Sequence, residues 1–136
     1  MIGELIAAIL GLIKKGDLDQ AEKMLERGYY ELLRRDAAFF QVIPKDLLTD
    51  RLLTEHNFTN GHLAVLAELF FAEAILSEAQ NRLKNSLFCY EKSLLLLEFL
   101  EKEDKTWSAK REERIKLLKE QIAILAERET TKDVPL

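Results

Sequence analysis

Apolar residues recur at helical spacing along nearly the whole chain, and the breaks between these stretches are short. Ile2, Leu5, Ile6, Ile9, Leu10, Leu12 and Ile13 predict a first helix over about 3–15 with almost no polar face. Gly16 can take the positive φ that ends it, and Lys14 and Lys15 suit the negative end of its dipole. Asp17 or Asp19 can open a second helix, with Leu18, Ala21, Met24, Leu25, Tyr29, Leu32 and Leu33 on one broad stripe. Residues 37–43 are apolar without a clean period. Pro44 then suits a first helical turn, and Leu47, Leu48, Leu52 and Leu53 predict a short helix over about 45–55 between two loops. The stretch 61–80 is apolar around most of its circumference, which places it at the centre of the fold. A further helix follows over about 84–102. The last, over about 106–128, differs in kind: Ile115, Leu118, Ile122 and Leu125 form a narrow seam and its other faces are charged. Residues from Glu129 on read as a frayed, flexible tail, leaving 1–128 as one domain.

Two of the breaks carry one packing signature. Gly16, Leu18, Ala21 and Leu25 have the spacing of Asn81, Leu83, Ser86 and Tyr90, and Ser93 extends the second copy by three. A turn former, then small residues at helical spacing, suits two antiparallel helices whose backbones approach at Ala21 and at Ser86.

These residues resemble the second half of a tetratricopeptide repeat, with Ala74 where that repeat has its small first-helix residue. The layout as a whole is similar to a small uncharacterised bacterial tetratricopeptide-like family, for which no activity is implied. Gly28 departs from the pattern, standing where the first copy should have Ala. Ala21 and Ser86 also lie too close for two full repeats, so the region 37–60 replaces part of a regular array. Repeat stacks need polar ends, and the last helix fits a C-terminal cap. In such hairpins the first helix lines the concave surface. The resemblance therefore implies an interaction surface of Ile6, Leu10 and Ile13 with Glu68, Phe71, Ile75 and Glu78. An apolar groove of this kind must be covered or occupied. The insert with Leu47 and Leu52, the last helix, or a second copy of the protein are the three coverings open to it.

Composition narrows the function classes. A chain of 136 residues with 48% apolar and 32% charged side chains is a normal single globular domain. The formal net charge of −4 is evenly spread, −2 on 1–60 and −2 on 61–136, and no basic face suited to nucleic acid stands out. Cys89 is the single cysteine, so no internal disulfide is expected and a reducing, cytoplasmic setting is the simpler reading. The apolar start carries Glu4, has no basic residue before it, and is too short to span a bilayer.

Candidate chemistry is sparse. His56 and His62 could join Glu55 or Glu68 around a metal, but no ligand motif is present, and surface histidines beside a turn are commoner. Cys89, between Phe88 and Tyr90, has no histidine near it in sequence and reads as an ordinary buried thiol. Glu101, Glu103, Asp104, Glu112 and Glu113 alternate with Lys and Arg as solvated helix ends do. The glycines are too scattered for a phosphate loop, and Trp107 reads as an anchor under the last helix. The expectation is an all-α, tetratricopeptide-like fold of five or six helices, without enzymatic activity or cofactor. It would bind a protein or peptide partner, or form a homodimer that buries the apolar N-terminal helix, with no nucleic acid and no membrane; an enzyme using the histidines or Cys89 is a distant third reading.

Overall fold

The computed structural model describes residues 2–104 and 106–132, and among them the fold is all-α. Seven helices follow in order: α1 (Ile2–Lys15), α2 (Leu18–Leu33), α3 (Ala37–Gln41), α4 (Leu48–Thr54), α5 (Asn60–Ala79), α6 (Leu83–Glu103) and α7 (Ala109–Lys132). A 3-10 turn, Lys45–Leu47, leads into α4. The two long hairpins appear where the pattern places them. Gly16 turns the chain at φ +84°, and the Asp17 carboxylate accepts from the Gln20 N–H at 3.3 Å to start α2. Asn81, at φ +65°, turns the chain between α5 and α6.

The register of α5 against α6 is set by two serines. The Ser86 hydroxyl donates to the Ala74 carbonyl, and the Ser93 hydroxyl to the Ala67 carbonyl, both at 2.7 Å. Each step of seven down α6 meets a step of seven back up α5, so the helices are antiparallel. Ala21, Ser86 and Ser93 are all fully buried, as close backbone packing requires. A side chain longer than serine would force the helices apart. α5 packs on α1, α2 and α6, and so forms the centre of the molecule. Gly28 is buried where α2 packs against α1 and α5. A Cβ there would sit 2.9 Å from a Leu5 methyl and 3.3 Å from a Leu69 methyl, so this departure from the repeat pattern follows from local crowding.

The insert departs from expectation. Residues 37–41, read as loop, form α3, with the Asp36 carboxylate accepting from the Phe39 N–H at 3.0 Å. Five residues are too few for a period to register and too few to be stable alone. What holds α3 is the burial of Phe40, whose ring lies 5.9 Å from Tyr29 and 5.8 Å from Phe58. Among the described residues the helix count is therefore seven rather than five or six. α7 also continues to Lys132, past the expected frayed start at Glu129; residues 133–136 lie outside the described residues.

Candidate functional site

α7 runs antiparallel to α6 and parallel to α5. Its Arg111 pairs with Glu101, and its Lys119 pairs with Glu98, further back along α6. Against α5 the order is reversed: Arg114 reaches Glu68 at 3.2 Å, and Arg128 reaches Glu78 at 3.5 Å. Leu118 and Leu125 of the predicted seam are buried, with Ile115 and Ile122 half-buried. α1, α5, α6 and α7 then bound a groove of about 530 Å³ lined by Ile13, Phe71, Ile75, Glu78, Leu117 and Arg128 among others.

Four of the seven residues inferred for an interaction surface thus line one groove: Ile13, Phe71, Ile75 and Glu78. Leu10 is half-buried and outside it, and Ile6 belongs to the core. Phe71 is buried, with the Arg114 guanidinium 3.7 Å from its ring centroid, a stacked cation that also holds Glu68. Burial pushes the Glu68 carboxyl above its ordinary value, against the opposing pull of Arg114. Of the three coverings expected, the last helix supplies a wall; no groove residue comes from the insert.

The insert packs elsewhere, over a polar cluster that pattern reading passed by. Glu73 sits on the opposite side of α5 and is buried. Its carboxylate accepts from the Gln41 side-chain amide and, at 3.2 Å, from the Cys89 thiol. Lys92, also buried, donates to the Gln41 carbonyl at 2.8 Å, at the C-terminal end of α3. The Tyr29 hydroxyl is fully buried near Glu73 without a hydrogen-bond partner among the described residues. Burial pushes the Glu73 carboxyl up, and its hydrogen-bond donors only partly offset this. Burial and then the Glu73 charge push the Cys89 thiol well above its ordinary value, while burial pushes the Lys92 amine down. A thiol held protonated as a hydrogen-bond donor is a poor nucleophile. The cluster therefore ties α3 to the α5–α6 hairpin. The one available signal was a lone acid inside Phe70-Phe71-Ala72-Glu73-Ala74-Ile75-Leu76, on a helix with no polar face to hold it. Beside the cluster, a cavity of about 270 Å³ opens between the insert and α6, with Val42 and Phe88 exposed on its rim.

The remaining candidates have structural partners. His62 closes a capping box with Thr59: the Thr59 N–H donates to His62 Nδ1 at 3.0 Å, and the His62 N–H donates to Thr59 Oγ1 at 3.2 Å. His56 lies edge-on to Phe39, ring centroids 4.9 Å apart. Among the described residues no group of three or more His, Cys, Asp or Glu is placed to hold a metal ion. None of their helices is long and apolar enough to cross a membrane. Trp107 does not anchor α7 from below: it is 68% exposed, and its indole N–H donates to Glu112 at 2.5 Å. Comparisons with protein-family models, curated proteins and solved structures return no match for this chain.

Proposed function

We propose that this chain is a non-enzymatic interaction module of tetratricopeptide-like architecture, docking a helical segment of a partner protein in the α1–α5–α7 groove. The observation that carries the reading is the origin of the lining. Ile13, Phe71 with Ile75, and Leu117 come from three separate helices, two of them parallel and each set beside or opening a hairpin. First helices of successive hairpins lining one surface is the arrangement the resemblance implies, with α7 as the added first helix. Half-buried Ile13 and Ile75 supply apolar anchors, while Glu78 and Arg128 supply a polar rim.

The test is a photo-crosslinking amino acid placed at Ile75 in the full chain, with the exposed Lys23 position of α2 as control. A discrete protein adduct from Ile75, absent from Lys23, is the expected result. Equal or no labelling from the two positions would refute the docking role.

A further inference from the structure

The wall that α7 contributes to this groove has a second stripe. Its inner seam faces α6. About 110° round the helix, Glu113, Leu117, Gln121, Ile124 and Arg128 follow one another at helical three-four spacing. Leu117, Gln121 and Arg128 of this stripe line the groove. Leu117 and Ile124 are among the few large hydrophobics that stay exposed, Ile124 at 49%.

The stripe is complementary to itself when reversed. Take an antiparallel register centred between Glu120 and Gln121. Glu113 then falls opposite Arg128, Leu117 opposite Ile124, and Glu120 opposite Gln121, each twice because the two-fold axis repeats them. A parallel in-register pairing would instead set Glu113 on Glu113 and Arg128 on Arg128. Opposite charges thus select one orientation, and the apolar pair sits between the charges. The two Glu120 carboxylates flanking the axis are the one like-charge approach, and Gln121 lies between them.

We propose that the occupant of this face is a second copy of the chain, packed α7 on antiparallel α7 so that the partner's stripe closes the edge of the groove. The proposal rests on the reading of the groove as a docking surface and adds the identity of the partner. It uses a different face from a dimer built on α1, whose Ile6 and Ile9 are already buried within the protomer.

Charge reversal tests it. Glu113→Arg and Arg128→Glu each place like charges opposite one another, and each should weaken self-association roughly tenfold or more in sedimentation equilibrium. Mixing the two variants restores opposite charges at every such position, so the mixture should form a heterodimer where each alone is monomeric. Ile124→Glu should give a monomer that nothing rescues, and circular dichroism should show all three variants as helical as the parent. A parent chain that stays monomeric up to millimolar concentration would overturn the proposal, as would a dimer indifferent to these changes or charge variants that fail to pair on mixing. If the parent is monomeric while Ile75 still crosslinks to another protein, the groove reading stands and only the second copy is refuted. If neither association occurs, both readings fall.

Discussion

α5 carries acids on two of its sides, and they live in different worlds. Glu68 and Glu78 face α7, the second of them lining the groove, and each is partly exposed and paired with an arginine of that helix. Glu73 faces the insert, buried, and held by an amide and a thiol instead of a cation in direct contact. Water shares the solvation of the first two, so their pairs contribute little to stability and leave the groove adaptable. The third has lost its water, so every donor around it counts. One flank of the helix can therefore afford exchange of partners, while the other fixes the fold.

Removing Glu73 is the strongest way to break that contrast. Glu73→Leu would leave the Cys89 thiol and the Gln41 amide without their acceptor and should cost about 3 kcal/mol in urea unfolding. Glu78→Leu on the groove flank should stay within about 0.5 kcal/mol. Next comes overpacking of the α5–α6 contact: Ser86→Leu should cost about 1–3 kcal/mol, whereas Glu26→Leu at an exposed position of α2 should melt like the parent.

Titration sharpens the same contrast. The folded carboxyl of Glu73 is raised above its unfolded value, so its contribution is fully present below the ordinary glutamate range. That contribution is lost as pH rises through the folded value. Lys92 and Arg82 favour its ionised form, and burial opposes it more strongly. Glu73→Gln should therefore flatten the fall in stability as pH rises above the ordinary glutamate range, read from urea midpoints across pH. Glu68 is shifted the same way but is present in both proteins, so the difference between them isolates Glu73. A modest effect, between those of Glu73→Leu and Glu78→Leu, is expected at the stacked cation. Arg114→Ala uncovers Phe71 and frees Glu68, and should cost about 1 kcal/mol in thermal melts.

The long helices and their turns were legible because each rests on local chemistry. Gly16 and Asn81 take left-handed backbone, Asp17 caps, and Ala21 and Ser86 recur at the spacing of a close helix contact. α3 was not legible, since one turn of helix has no period and its stability comes from Phe40 against Tyr29 and Phe58. Trp107 misled for the opposite reason. Its size argues for burial, but a hydrogen bond to nearby Glu112 holds it at the surface.

The candidate surface divides in the same way. Ile13, Phe71, Ile75 and Glu78 could be assigned to a common face from the spacing and resemblance of two hairpins alone. That Ile6 falls inside, that Arg114 and Arg128 reach across to the α5 acids, and that Leu117 completes the lining depend on where α7 lies.

The linear order of residues, taken alone, determined an all-helical chain with a tight antiparallel hairpin at each small-residue signature, because caps, turns and helical stripes act within a few residues. Only the folded molecule decided which acid of α5 is sealed and which are shared with solvent. That choice depends on segments far apart in sequence, the insert and α7, meeting opposite sides of one helix and excluding water from just one of them.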